Sequence, residues 1–299
     1  RTLFPTTKNV SADTVAPADR LSKRVLPGLL LVVLALGSIY LGGIAYLVVC
    51  GVLACTMSWE WVRLVTPRGH RWWSSVAAAC TGFVALIAGL FGSLEYPLYA
   101  SIVLAILFSG TAVLGRQGRE RAARLLLWLP GAIVWPSIFL ISATFIRQSD
   151  DGLATAVWLC VVVWGTDIGA YLIGRTVGGP RLAPRLSPGK TWSGAVGGLL
   201  AAAIAGGLLG WGSSSLGWAG GDAALGIVGV FALVFSVISQ AGDLLESAIK
   251  RHFGAKDSGT LIPGHGGVLD RLDSLSVAAA VLALAMYLSG LGPLSWGGG

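Results

Sequence analysis

Residues 25–58 read VLPGLLLVVLALGSIYLGGIAYLVVCGVLACTMS, from Val25 to Ser58, without one charged side chain. A helix needs about 20 apolar residues to cross a bilayer, and this run of 34 is well beyond that. The pair Gly42–Gly43 near its middle offers a turn, so two short spans joined there are expected, rather than one long tilted helix.

The same composition continues outward. Further apolar runs occupy about 73–93, 97–115, 125–146, 154–173, 194–211, 224–245 and 274–292. Of the 299 residues, 55% are hydrophobic and 12% charged, with a mean hydropathy of +0.76. Soluble domains carry roughly 25% charged residues. The expected fold is all-α: a polytopic membrane bundle of about nine transmembrane helices. With the N-terminus placed in the cytoplasm, 20 of the 21 Lys and Arg fall on the inner side and only Arg147 outside, which puts the C-terminus outside. The net charge of +7 is therefore read as membrane orientation and headgroup contact, with no nucleic-acid partner.

Three regions are expected: a mobile cytoplasmic tail over 1–24, N-terminal transmembrane helices over 25–160 serving as scaffold, dimer surface or lipid-access surface, and a C-terminal catalytic region over 161–299. The chain opens on Arg1, so its numbering is expected to start after the natural first residue. The first apolar run is too long for a cleavable signal peptide. Cys50, Cys55, Cys80 and Cys160 sit in apolar runs without CxxC spacing and read as small core residues.

Polar chemistry concentrates between residues 167 and 273. In the eighth span Gln240, Asp243, Ser247 and Lys250 recur at helical spacing, with Glu246 beside them. An aspartate deep in a membrane helix costs roughly 2.5–3.5 kcal/mol on insertion scales, so it must face the interior and find a partner. Asp270 and Asp273, three apart, open the ninth span. Carboxylates without cysteine or histidine neighbours suit a hard cation that shares its shell with water and phosphate, and Mg²⁺ is the expected cofactor. Asp243 and Asp270 are the first candidate ligands, with Asp257 or Asp273 for a second cation.

The intervening loop supplies the anion side. Gly264, Gly266 and Gly267 let backbone approach a ligand ahead of a helix N-terminus, and Lys256 and Arg271 add charge. His265 reads as a phosphate contact or a helix cap, and Lys250 and Arg251 as phosphate ligands or solvated charge. A second cluster follows Asp167 and Tyr171: GRTVGGPRLAPRLSPGKTW, residues 174–192, with Arg175, Ser187, Lys190 and Thr191. Its Pro-Gly-Lys-Thr order lacks the first glycine and the preceding strand of a P-loop, so a nucleotide-hydrolase loop is excluded. A lysine and hydroxyl on a turn still suit a phosphate.

These motifs resemble those of a known family. Ser247-Ala248-Ile249-Lys250-Arg251, Lys256-Asp257 and Pro263-Gly264-His265-Gly266-Gly267-Val268-Leu269-Asp270-Arg271-Leu272-Asp273 look like the signature of the phosphatidate cytidylyltransferases, the CDP-diacylglycerol synthases. Asp167-Ile168-Gly169-Ala170-Tyr171 and Ser187-Pro188-Gly189-Lys190-Thr191-Trp192 are similar to a second region of that family, which usually has an acid where this chain has Ser193. The resemblance implies that CTP and phosphatidate are the substrates, that Asp243 and Asp270 bind metal, and that Ser187, Lys190, Lys256 and Arg271 handle phosphate. It implies an inner-membrane enzyme with a cytoplasmic active site, and leaves a homodimer open. A CDP-alcohol phosphotransferase would need a DGxxAR-type run, which is absent. An ion-coupled transporter would explain Asp167 and Asp243 but not the glycine loop.

Overall fold

In the computed structural model, residues 17–66, 71–114, 118–213, 215, 225–262 and 266–294 are described. The first charge-free run forms two helices, α1 (Pro17–Leu41) and α2 (Gly43–Val65), parted where the sequence places the turn. Gly42 and Gly43 both take positive φ, 63° and 50°, which a side chain would resist. Arg147 closes the turn from across the bundle: its Nε donates to the Ile39 carbonyl at 2.6 Å. α1 begins inside the stretch read as a tail; of the remainder, residues 1–16 lie outside the described residues.

Next come α3 (Arg71–Phe91), α4 (Glu95–Leu114), the short α5 (Arg119–Trp128) and α6 (Gly131–Gln148). α5 carries Arg119, Arg121 and Arg124 on a half-apolar helix, and Leu129-Pro130 separate it from α6. α7 (Gly152–Val177) leads into a hairpin of β1 (Arg181–Ala183) and β2 (Ser187–Thr191), followed by α8 (Trp192–Ser213), α9 (Leu225–His252) and α10 (Leu269–Ser289). The hairpin amends the all-α expectation: its strands pair antiparallel, Arg181 opposite Thr191 and Ala183 opposite Ser187. Gly178 and Gly179, at φ 66° and 105°, turn the chain out of α7 to start it.

Among the described residues, seven helices are long and apolar enough to cross a membrane, and two shorter apolar helices, Gly28–Leu41 and Glu95–Thr111, accompany them. Large apolar side chains such as Leu90, Leu107, Ile204 and Leu288 point outward from these helices, as a lipid solvent requires. Several polar groups inside find partners: Thr166 donates to Ser236 at 2.7 Å, Trp135 to Ser276 at 3.0 Å and Trp158 to the Gly206 carbonyl at 3.0 Å.

Two cores fill the bundle. One joins α2, α3, α4, α5 and α6 around Met57, Trp61, Trp73 and Leu140. The other joins α7, α8, α9 and α10 around Trp158, Phe235 and Leu282. α10 enters both, with Leu269 in the first and Ala278 to Met286 in the second. α7 and α8 meet through small residues: a side chain on Gly194 would come within 2.7 Å of the Ala170 carbonyl, and one on Gly198 within 2.7 Å of that of Thr166. Cys50 and Cys160 lie in the cores as expected, and Cys55 and Cys80 are partly buried.

Candidate functional site

A cavity of about 930 Å³ runs between the two halves of the bundle. Its far wall is apolar, with Leu31 and Ile39 of α1, Cys50 and Leu53 of α2 and Phe139 of α6. Its near wall is charged, with Asp167 and Arg175 of α7, Arg181, Ser187 and Lys190 of the hairpin, Asp243 of α9, and Asp270, Arg271 and Asp273 of α10. Two sequence clusters separated by more than fifty residues thus face one space.

The hairpin carries its residues there by three ties. Trp192 donates its backbone N–H to the Pro180 carbonyl at 3.0 Å, Arg251 reaches the Leu186 carbonyl at 3.2 Å, and Ser193 hydrogen-bonds the Gly178 carbonyl. An acid in place of Ser193 could not donate that bond when ionised. Thr191, assigned to substrate from sequence, accepts the Gly194 N–H at 3.1 Å and so caps the first turn of α8.

Lys190 forms an ion pair with Asp243, whose Oδ1 also accepts the Ser247 hydroxyl at 3.3 Å. Asp243 lies close enough to Asp167 and Asp273 that the carboxylates repel one another, while Lys190 and Arg271 attract Asp167. Asp273 is buried and accepts the backbone N–H of Ser274 at 2.7 Å. Asp270 lines the same cavity through other partners. Lys250 reaches it at 2.8 Å and also pairs with buried Glu246, and the N–H groups of Ser258 and Gly267 donate to it at 3.0 and 2.8 Å.

The remaining candidates take less central places. Arg251, Lys256 and Asp257 are exposed, and Arg175 hydrogen-bonds the Tyr171 hydroxyl at 2.6 Å on the cavity rim. Gly266 takes φ 85° and would push a side chain to 2.8 Å from Asp270, so its backbone is required where it is. Gly267 is buried against Ser258. His265 and Gly264 lie outside the described residues.

Among the described residues no three His, Cys, Asp or Glu side chains converge tightly enough to hold an ion unaided. Several carboxylates that repel across an open cavity are nevertheless the donor type Mg²⁺ takes when water and phosphate complete its shell.

Sequence reasoning missed Glu60. It confines polar chemistry to residues 167–273, yet Glu60 near the end of α2 is wholly buried. Its oxygens accept the N–H groups of Val268 at 3.1 Å and Leu269 at 2.8 Å and the Ser258 hydroxyl at 3.3 Å. The one available signal is an acid between two tryptophans at the end of an apolar run, Trp59-Glu60-Trp61.

Residues 22–289 match the model of the Cytidylyltransferase family. Phosphatidate cytidylyltransferase of Brucella suis is 40% identical over 281 residues, covering 89% of this chain and 93% of the relative. That of Pseudomonas aeruginosa is 36% identical over 283 residues, covering 91% and 99%. That of Bacillus subtilis is 42% identical over 134 residues, covering 43% and 46%.

Proposed function

The chain belongs to the cytidylyltransferase family, and from that premise we propose how its cavity works. The protein is a membrane nucleotidyltransferase that condenses CTP with phosphatidate to give CDP-diacylglycerol and pyrophosphate in phospholipid biosynthesis. Neither the alcohol phosphotransferase nor the transporter is favoured by its relatives. The observation that carries the reading is the two-sided cavity, apolar at Leu31, Ile39 and Phe139 and charged at Lys190, Asp243 and Arg271. A lipid with a phosphate head has the same division. Its tails stay among apolar side chains at about 0.8 kcal/mol per buried CH₂.

A phosphate oxygen of phosphatidate attacks the α-phosphorus of CTP. A new P–O bond forms, the bond between the α-phosphorus and the bridging oxygen breaks, and pyrophosphate leaves with that electron pair. A phosphate monoester has its second pKa at about 6 and is largely dianionic at neutral pH, so no strong base is needed. The barrier is repulsion between two anions. Lys190 and Arg271 lower it from the cavity wall, and Ser187 and Arg175 orient phosphate at the rim. Lys256 and His265, between α9 and α10 in sequence, and Arg251, at the end of α9, serve the CTP side, where the Gly266 backbone permits close approach, while Lys250 holds Asp270 in place. Asp243 and Asp270 are the residues that would hold Mg²⁺, with Asp257 or Asp273 for a second cation, and the metal would supply counter-charge to the phosphates and the leaving group.

The finer topology belongs to the same proposal: nine spans with α1 and α4 counted, the N-terminus and active site cytoplasmic, the C-terminus outside and the inner membrane as location, in keeping with the distribution of Lys and Arg. The homodimer is retained with it. In detergent, pyrophosphate release from CTP is expected to require both phosphatidate and Mg²⁺. Release that ignores phosphatidate overturns the reading.

A further inference from the structure

We infer that Glu60 is a positioning residue for the active site, acting from the N-terminal half through the first turn of α10; this rests on the reading above. A carboxylate buried in a membrane bundle is expensive unless its oxygens are hydrogen-bonded. Glu60 has three donors from one small region, Val268, Leu269 and Ser258. The first two are the opening N–H groups of α10, where the helix dipole favours negative charge. α10 needs this partner, because its N-cap residue is Val268 and makes no side-chain cap. Glu60 supplies from α2 what the local sequence omits.

The arrangement is coupled to the site through Ser258. Its hydroxyl donates to Glu60, and its backbone N–H donates to both oxygens of Asp270, at 3.0 Å each. Two carboxylates therefore grip one loop from opposite sides. Neighbouring glycines make room for the grip: a side chain on Gly259 would come within 2.5 Å of Glu60 Oε1, and one on Gly267 within 2.6 Å of Oε2. The first turn of α10 carries Asp270 and Arg271 and leads directly to Asp273, all on the cavity wall. Its rotation sets where all three point. Glu60 does not line the cavity, so it acts through them.

Full-length Glu60→Gln in detergent tests this, with steady-state kinetics and hydrogen exchange. The amide turns donor hydrogens toward N–H groups, and a displacement of ~1 Å at a reacting centre costs roughly 10²-fold. The expected result is a kcat roughly 10²-fold lower with KM for CTP and phosphatidate nearly unchanged, and faster exchange confined to residues 258–270. Glu60→Asp, which keeps two acceptor oxygens, should recover part of the loss. An unchanged kcat, or exchange that rises equally throughout α2, α3 and α4, overturns the assignment. Should Glu60→Gln not fold, Ser258→Ala removes only the hydroxyl link; a several-fold fall in kcat supports the role and wild-type kcat overturns it. A wild-type protein without phosphatidate-dependent pyrophosphate release would refute the reaction instead, while the exchange result, which needs no turnover, would still decide the grip.

Discussion

Two lysine–carboxylate pairs differ in burial: Lys190 and Asp243 both line the cavity, whereas Lys250 and Glu246 stand behind its wall and reach it only through Asp270. Lys190 and Asp243 keep 27% and 25% of their side-chain surface exposed. Lys250 keeps 12%, with Glu246 at 2% and Asp270 at 8%. The first pair joins a hairpin to a helix at partly exposed positions, so a phosphate is expected to draw Lys190 away at little cost. The second pair joins α9 to α10 inside the bundle, where separating the charges is expensive. On the proposed function, Lys190 with Asp243 is expected to work as an opening contact, and Lys250 with Asp270 and Glu246 as a fixed strut.

The comparison can be broken by substitution, and the largest effect is expected at Asp270. Asp270→Asn should abolish turnover while the protein still inserts and folds, measured as pyrophosphate release and as elution in a single detergent peak. Near-normal turnover would remove Asp270 from the metal and positioning roles together. Next comes Lys250→Met, which leaves two acids without their cation. Removing one partner of a buried pair costs about 3–5 kcal/mol, so a large fall in melting temperature in detergent is expected. Lys190→Met should behave in the opposite way. A partly exposed pair contributes about 0–1 kcal/mol to stability, so melting should hardly move, while KM for the phosphate-bearing substrates rises by about tenfold. If both lysine variants lower stability alike, the distinction between opening contact and strut fails. The smallest effect is expected for His265→Ala, which should cost less activity than Asp270→Asn. An equal cost would make His265 essential.

Much of this architecture is legible locally. The turn at Gly42–Gly43 follows from a charge-free run too long for one span, and Asp243, Ser247 and Lys250 share a face because helical spacing puts them there. The hairpin was not legible, because Pro180, Pro184 and Pro188 announce turns while strands of three and five residues are too short to show alternation. The choice of partners was hidden as well. From spacing, Asp243 and Asp270 look like natural neighbours across a loop, yet Asp243 takes Lys190 and lies near Asp167 and Asp273, while Asp270 takes Lys250 and two backbone N–H groups.

The sequence by itself determined that this is a helical membrane bundle and which family it belongs to, because hydropathy, helical spacing and a contiguous signature are all local properties of a chain. Only the tertiary structure decided which charges meet and that Glu60 holds the start of α10 from 209 residues away. Inside a bilayer every buried charge must find a partner, and packing, rather than distance along the chain, decides which one it finds.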